Sequence, residues 1–405
     1  MAQRPLRVAW ISFFPIEWLP DPPEFLRPLP RQHPASWQRV LLEEFKGAPE
    51  VELHIFSVRK HFTRSCRFER DGVTFHCVRV PGGLRTLSLF WWETVLLRRI
   101  LKEVRPDMVH AWGTERAAAL VASRLGFPFL VAMQGLLEWY AEYSPPDALG
   151  RLEVWLEKAS LRRASVVTAE SSFAVEWLRG HYPHLEVRQV EHAPNWLFQR
   201  LERRPENQPL QFLHVGVLSK LKGTDLLLSA LDKLRQELDF RLTLVGVAND
   251  PGFLDRIRRE TSGALWERIT LRHGLTQPEV GEEMARATMM LFPPRVDNSS
   301  NSVKEAVVAG VPVVASAVGG VMDYVVPGKN GLVFPAGNLD ALVEAVRAAA
   351  AHPLFRQAKV APETLQQMRE YLSPRRMADG FLAAYRRVAE LSCLPKTPFG
   401  RFGPS

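Results

Sequence analysis

Short apolar, β-branched runs alternate with segments of helical period along most of the chain. In the first half, the runs predict strands near Leu6 to Phe14, Val51 to Val58, Met108 to Ala111, Phe129 to Met133 and Val166 to Thr168. The helical segments between them are Ala35 to Phe45, Leu87 to Val104, Glu115 to Leu125 and Ser171 to Gly180. This alternation is typical of βαβ units around a parallel sheet, so we predict an α/β fold.

The second half repeats the same rhythm, with strands near Phe212 to Val217, Arg241 to Val245, Ile269 to Arg272, Met289 to Phe292, Val313 to Ala315 and Gly331 to Phe334. A length of 405 residues suits two domains of ~150 to 200 residues each. The polar, proline-containing segment 200–209 has neither period and is the predicted linker. We therefore predict domains at 1–199 and 210–373, a C-terminal helix at 374–393 and a mobile tail at 394–405.

The net charge of +8 includes a local excess, since residues 1–106 carry 17 Lys and Arg against 11 Asp and Glu. Such an excess favours an anionic partner, either membrane phospholipid or a phosphorylated acceptor, although it also fits a solvated surface. The segment Leu87 to Lys102 has aromatic residues at one end and cations at the other. It either lies on anionic lipid or packs on the sheet. We expect no nucleic acid partner.

Three cysteines, Cys66, Cys77 and Cys393, are an odd number without metal-ligand spacing. They predict free thiols in a reducing compartment. The N-terminus lacks the pattern of a signal peptide, and no window reaches the ~18 apolar residues of a membrane helix. We expect a cytoplasmic protein, with peripheral association at the inner face of the membrane as a further possibility.

The turns that follow the strands are the places to look for chemistry, because ligands of open α/β sheets bind beyond the carboxyl ends of the strands. The first such turn in the second half contains Gly216, Lys220 and Lys222 before a helix. A lysine here can meet a phosphate, and a structural glycine turn with surface lysines is the alternative. Neither a Walker loop nor G-x-G-x-x-G follows any strand, which disfavours nicotinamide cofactors.

The second turn, Pro293 to Ala306, is a polar loop that opens a helix. Its good N-cap residues are Asn298, Ser299 and Asn301. The free amides of the first helical turn and its dipole can bind the anionic diphosphate of a nucleotide. Asp297 and Glu305 add carboxylates that accept hydrogen bonds from sugar or ribose hydroxyls. Simple helix capping is the alternative.

The third turn contains Gly319 and Gly320, which either allow close approach of a ligand or permit positive φ. Taken together, the order of motifs resembles glycosyltransferase family 4 of GT-B architecture. The resemblance rests on the Lys-Gly turn, on Asp297 and Glu305, and on the segments Ala309 to Ser316 and Pro327 to Pro335. It is strong over residues 210–350 and looser in the first half.

The resemblance implies two Rossmann-like domains whose parallel sheets face a cleft, with the C-terminal helix packing back on the N-terminal domain. It implies a nucleotide diphosphate sugar as donor and retaining, hexosyltransferase-type chemistry. Asp297 then lies near the donor sugar hydroxyls, Glu305 binds the ribose, and Lys222 holds the phosphates. The remaining residues of the implied donor site are Gly216, Lys220, Gly274, Leu275, Asn298, Ser299, Asn301, Ser302, Val303, Gly319 and Gly320.

Two departures from the family pattern stand out. Where many members have an Arg before the Lys of the first turn, this chain has Val217, so Lys220 is a candidate substitute for the missing cation. Many members also have His-Gly where this chain has Gln134-Gly135, and Gln134 can donate a hydrogen bond to the sugar but cannot relay a proton.

The N-terminal half supplies the predicted acceptor side. Glu115 follows a strand and either faces the acceptor or serves as a helix-dipole partner. His110 is expected to be a packed histidine rather than a catalyst. The loop Phe14 to Pro34 contains seven prolines, which predict a stiff lip on the acceptor side.

The implied reaction is front-face attack by an acceptor hydroxyl, with the leaving-group oxygen assisting its deprotonation. No Asp-x-Asp motif is present, so we expect no metal and no cofactor besides the donor. The acceptor is a glycan, a lipid-linked molecule or a small molecule. Two rival functions remain open: a nucleotide-sugar epimerase on the same fold, and a non-catalytic sugar-nucleotide-binding protein.

Overall fold

The computed structural model describes residues 4–29 and 35–393. Within those residues the N-terminal sheet consists of β1 (Leu6–Ser12), β2 (Val51–Arg59), β3 (Cys66–Arg70), β4 (Val73–Arg79), β5 (Met108–Trp112), β6 (Phe129–Ala132), β7 (Val166–Ala169) and β8 (Glu186–Gln189). Their spatial order is β3-β4-β2-β1-β5-β6-β7-β8. All neighbours pair in parallel except β3 and β4, which form an antiparallel hairpin at the edge.

The helices of this half are α1 (Ser36–Phe45), α2 (Leu84–Leu87), α3 (Trp91–Val104), α4 (Ala118–Arg124), α5 (Leu137–Tyr143), α6 (Ala148–Leu161), α7 (Ser172–His181) and α8 (Trp196–Gln199). The single helix predicted over Leu87 to Val104 is wrong, because Leu89 and Phe90 adopt positive φ and separate α2 from α3. The helix predicted from Glu115 likewise begins as a 3-10 turn, Glu115–Ala117, which is followed by α4.

The second half, from the polar linker segment onward, is built on β9 (Leu210–Val215), β10 (Phe240–Val245), β11 (Ile269–Arg272), β12 (Met289–Phe292), β13 (Val313–Ser316) and β14 (Gly331–Phe334). These strands are all parallel, in the order β11-β10-β9-β12-β13-β14. The helices are α9 (Thr224–Leu234), α10 (Phe253–Glu260), α11 (Gly263–Trp266), α12 (Gln277–Arg286), α13 (Asn301–Ala309), α14 (Val321–Tyr324), α15 (Leu339–Ala351), α16 (Pro362–Tyr371) and α17 (Pro374–Cys393). The predicted α/β architecture with two parallel sheets is confirmed.

The C-terminal helix α17 returns to the N-terminal half, as the resemblance implied. Met377, Phe381 and Tyr385 are buried in the same core as β1 and β5. The indole Nε1 of Trp10 donates to the Tyr385 hydroxyl at 2.9 Å, and that hydroxyl lies 2.7 Å from His110 Nδ1. Burial holds the pKa of His110 well below its usual value. His110 is therefore a packed core histidine, as expected from the sequence.

Some predictions concern segments that the structure does not describe. The tail at 394–405 lies outside the described residues, as do residues 30–34 of the proline-rich loop. Among the described cysteine side chains, Cys66 and Cys77 are free thiols. No helix within the described ranges is long and apolar enough to cross a membrane.

Candidate active site

A cleft of about 890 Å³ lies between the two halves. It lies beyond the carboxyl ends of the strands, where doubly wound sheets bind their ligands. Nine of the residues singled out from the sequence line it: Gln134, Gly216, Lys222, Leu275, Asp297, Ser299, Asn301, Ser302 and Glu305. The cleft therefore brings together residues from distant parts of the sequence, from Gln134 to Glu305.

Lys222 and Asp297 form an ion pair on the C-terminal wall of the cleft. The Lys222 ammonium lies 2.7 Å from Asp297 Oδ2, and the carboxylate is almost fully buried. Gly223 makes this meeting possible, because a Cβ at its left-handed φ of 70° would lie 1.7 Å from the carbonyl oxygen of Pro293. Only glycine lets the turn after β9 pack against the loop after β12.

The loop after β12 opens α13 with a cap that the sequence analysis did not select. The N-cap is Ser300, whose hydroxyl accepts from the Val303 amide at 3.5 Å. The expected caps Asn298, Ser299 and Asn301 were therefore wrong, and the amide of Val303 is not free for a ligand. Asn301 and Ser302 occupy the first helical positions, whose amides have no intrahelical acceptor.

Glu305 lies one turn along α13 and is 9% exposed. Burial raises the pKa of Glu305 to about 8, against the opposing effects of a hydrogen bond from Gln277 and of the Lys304 charge. The Glu305 side chain is therefore mainly protonated at neutral pH, whereas a carboxylate was expected from the sequence. Binding a ligand that needs the carboxylate releases a proton.

Gly319 and Gly320 pack against the loop after β12 and are not among the residues that line the cleft. A Cβ on Gly319 would lie 1.9 Å from the carbonyl oxygen of Asp297. The Gly320 amide donates to the carbonyl of Asn298 at 2.7 Å. Asn298 is fully buried, and its Oδ1 accepts from the Ser171 hydroxyl at 3.1 Å. These three residues fix the position of Asp297 and are not among the residues that line the cleft, so their expected contact with the ligand stays a prediction.

Lys220 and Gly274 also lie outside the cleft. Lys220 lines a separate small cavity beside Asn249 and Asp250. It therefore does not lie in the cleft as a substitute for the arginine that many family members have at the position of Val217. Gly274 has a φ of 69° and forms the turn that leads to Leu275. This positive φ alone accounts for a glycine at position 274, so no contact with a ligand is needed to explain it.

Two residues that the sequence analysis missed line the N-terminal wall. Arg39 on α1 is partly buried, and desolvation lowers the pKa of its guanidinium. Tyr140 on α5 accepts a hydrogen bond from the Asn298 amide at 3.2 Å. Burial, and secondarily the Asp297 charge, raise the pKa of Tyr140 well above its usual value. The aromatic run after Gln134 was the available signal for Tyr140.

A buried ionic network joins the two halves next to the cleft. The fully buried ammonium of Lys304, on α13, lies 3.2 Å from Glu170 Oε2 and 3.4 Å from Glu191 Oε2. It also donates to the carbonyl oxygen of His192 at 3.1 Å. Because Glu170, Glu191 and His192 belong to the N-terminal half, this one lysine joins helix α13 of the C-terminal half to the N-terminal half.

Glu115 lies outside the main cleft and lines an adjoining cavity of about 280 Å³. Gln134 and Trp37 belong to both spaces, so the cavity opens beside the cleft. Within the described part of the chain, Glu115 Oε2 has no hydrogen-bond partner. Burial, together with nearby Glu157, raises the pKa of Glu115 to about 7. This environment supports the acceptor-facing alternative over a helix-dipole role.

Two family models match the chain. The model described as Glycosyltransferase Family 4 matches residues 40–197, and the model described as Glycosyl transferases group 1 matches residues 209–352. The gap between the two matches, 198–208, overlaps the predicted linker at 200–209, and the two matches together include most of the residues that line the cleft. The chain belongs to glycosyltransferase family 4.

Curated relatives carry related names. D-inositol 3-phosphate glycosyltransferase 1 of Catenulispora acidiphila is 26% identical over 264 residues, covering 60% of this chain and 63% of the relative. A GDP-mannose-dependent phosphatidylinositol monomannoside mannosyltransferase of Mycolicibacterium smegmatis is 33% identical over 144 residues, covering 33% of this chain and 37% of the relative. The chain thus spans less than two thirds of the first of these family members.

Solved structures agree on the fold. Sucrose-phosphate synthase from Thermosynechococcus elongatus has a TM-score of 0.75 at 18% identity and covers 95% of this chain and 100% of its own. Anabaena Alr3699/HepE in complex with UDP-glucose has a TM-score of 0.68 at 14% identity, covering 96% and 100%. The family 4 chain therefore has the GT-B fold.

Proposed function

We propose that this family 4 member is a retaining glycosyltransferase that transfers a sugar from a nucleotide diphosphate sugar to a glycan, lipid-linked or small-molecule acceptor. The observation that carries the proposal is the arrangement of Lys222, Asp297 and Glu305 on one wall of the cleft, with Gln134 and Tyr140 opposite. Three separate turns of the C-terminal half contribute to that wall. An Anabaena structure of the same fold is described in complex with UDP and glucose.

The donor is expected to lie along the C-terminal wall. Lys222 and the amides of Asn301 and Ser302 provide positive charge for the diphosphate. Asp297, only 2.7 Å from Lys222, then meets hydroxyls of the sugar that is attached to that diphosphate. Glu305 binds the ribose. Arg39, from the opposite wall, is a second cation that can approach the phosphates when the cleft closes.

The state of the carboxylates in the cleft supports front-face attack. Asp297 is paired with Lys222, Glu170 is paired with Lys304, and Glu305 is mainly protonated at neutral pH. Each described carboxylate that lines the cleft therefore already has an ion-pair partner or a proposed ribose-binding role, which favours direct attack by the acceptor over a covalent intermediate. Rate enhancement comes instead from preorganised charge that stabilises the leaving diphosphate. On this proposal the reaction needs no metal.

Peripheral membrane association is proposed for the same protein. The start of α3 exposes Trp91 and Trp92, each 49% exposed, and Leu87 before them is 84% exposed. Arg98 and Arg99 follow on the same helix. Apolar side chains next to cations are the combination that binds an anionic lipid surface.

The decisive experiment is a screen of nucleotide sugars with detection of released nucleotide and of the product. Transfer with retained anomeric configuration, read by NMR, supports the proposal. Binding without turnover across donors and acceptors supports the non-catalytic rival instead. Conversion of the donor to its epimer, without nucleotide release, supports the epimerase.

A further inference from the structure

A third cavity adjoins the Glu115 cavity, which itself adjoins the cleft. It has a volume of about 350 Å³, and its basic side chains are Lys60, His61, Arg85 and Arg116. It shares Phe13, Arg85 and Arg116 with the Glu115 cavity, which in turn shares Gln134 and Trp37 with the donor cleft. A molecule in the Glu115 cavity therefore has the donor on one side and this cationic cavity on the other.

Arg116 is held in place but not neutralised. The Arg116 guanidinium lies 4.0 Å from the centre of the Phe13 ring. The Arg59 guanidinium also lies over this ring, 4.4 Å from its centre. Arg59 forms an ion pair with Glu17, with 2.8 Å between Arg59 Nη1 and Glu17 Oε2. Among the described residues, no carboxylate forms an ion pair with the Arg116 guanidinium. The backbone of Arg116 adopts a left-handed φ of 56°.

The remaining charges of the cavity leave it positive. Arg85 is paired with Glu93, so its charge is compensated. Lys60 is exposed and has no ion-pair partner among the described side chains, and Glu153 is the acidic residue on the cavity wall. Lys60 and Arg116 together outweigh Glu153. Gly83, which also lines the cavity, is exposed and has a φ of 82°.

We propose that the cationic cavity binds a phosphate group of the acceptor, while the acceptor hydroxyl reaches the donor through the Glu115 cavity. The proposal rests on the glycosyltransferase function proposed above. A guanidinium offers paired N–H donors that match phosphate oxygens, and the Lys60 ammonium adds a second positive charge. The same chemistry is present in a soluble sugar phosphate and in a phosphorylated lipid headgroup.

The test is a calorimetric titration of inorganic phosphate into the full-length protein saturated with whichever of UDP, GDP and ADP binds best. The nucleotide occupies the donor site, so that phosphate reports on the cationic cavity. Arg116→Gln and Lys60→Gln should each weaken phosphate binding about tenfold, the loss of one charge-assisted hydrogen bond. Lys220→Gln, an exposed lysine outside all three spaces, is the matched control and should leave it unchanged.

The proposal is overturned by unchanged phosphate affinity in the Arg116→Gln/Lys60→Gln double variant, or by loss of phosphate binding when the nucleotide is added to the wild type. Competition experiments then distinguish the two sources of the phosphate group, a soluble sugar phosphate and a lipid headgroup. Glucose 6-phosphate displacing the phosphate indicates a soluble sugar phosphate, and displacement only by vesicles containing phosphatidic acid indicates a lipid headgroup. Displacement by neither also overturns it. Failure of every nucleotide to bind contradicts the glycosyltransferase proposal alone, since the variants still test the phosphate site.

Discussion

Replacing Lys304 by Met removes the cation that joins the two halves of the protein. Its buried ammonium lies within 3.4 Å of both Glu170 and Glu191. Met is also a long, unbranched side chain, so most of the packing is kept and the change is mainly electrostatic. Removing one partner from a buried ionic pair leaves uncompensated charge, which costs about 3 to 5 kcal/mol of folding stability.

This cost should depend on pH, because the unpaired carboxylates can bind protons. Burial already raises the pKa of Glu191 to about 7, whereas His192 and Lys304 hold the pKa of Glu170 below its usual value despite burial. Without Lys304 both pKa values rise, so the folded variant binds more protons than the unfolded chain. Stability then falls as the pH rises, and the deficit of Lys304→Met should be larger at pH 8 than at pH 5.5.

The assay is urea unfolding followed by tryptophan fluorescence at both pH values. Lys233→Met is the matched control, because Lys233 pairs with Asp340 on the surface, where an ion pair contributes at most about 1 kcal/mol. Adding Glu170→Gln and Glu191→Gln to Lys304→Met should recover part of the loss. A loss for Lys304→Met at pH 8 no larger than that of the control would refute the reasoning.

Three further predictions concern function. Lys222→Ala should lower kcat more than donor affinity, because negative charge grows on the phosphates as the glycosidic bond breaks; equal losses in kcat and affinity would count against this role. Excess chelator should leave initial rates unchanged, and a loss restored by manganese would show that a metal handles the phosphates. Trp91→Ala/Trp92→Ala should reduce sedimentation with anionic vesicles at low salt, whereas wild-type protein that stays in the supernatant would argue against membrane binding.

The fold was largely predictable because buried parallel strands are apolar along most of their length. β5 and β12, for example, are buried at every position. Strands β3, β4 and β8 were not predicted. The edge strand β3 alternates Arg and Glu with its apolar residues, and β8 at the other edge contains a single apolar residue, Val187. Thr74 and His76 interrupt the apolar pattern of β4. The break between α2 and α3 was also hidden, since Leu89 and Phe90 carry no glycine or proline signal.

The candidate site was predictable where it follows local motifs and not where it depends on contacts between the halves. Lys222, Asp297 and Glu305 each follow a strand, so their positions at the cleft could be inferred. The contacts of Tyr140 with Asn298 and of Lys304 with Glu170 join residues more than 130 positions apart, and hydrophobic periodicity carries no information about them. The protonation of Glu305 depends on burial in the folded protein.

The most direct test of the donor site is calorimetric binding of nucleoside diphosphate to wild type, Glu305→Gln and the exposed control Glu260→Gln at pH 6.5 and 9. With a pKa of about 8, Glu305 must lose a proton before both of its oxygens can act as charged acceptors for the ribose hydroxyls, so wild-type affinity should rise with pH. At pH 9, Glu305→Gln should bind roughly 10 to 150 times more weakly, the equivalent of one charge-assisted hydrogen bond, and Glu260→Gln should match wild type. Equal affinities of wild type and Glu305→Gln at both pH values would mean that the nucleotide does not bind at α13.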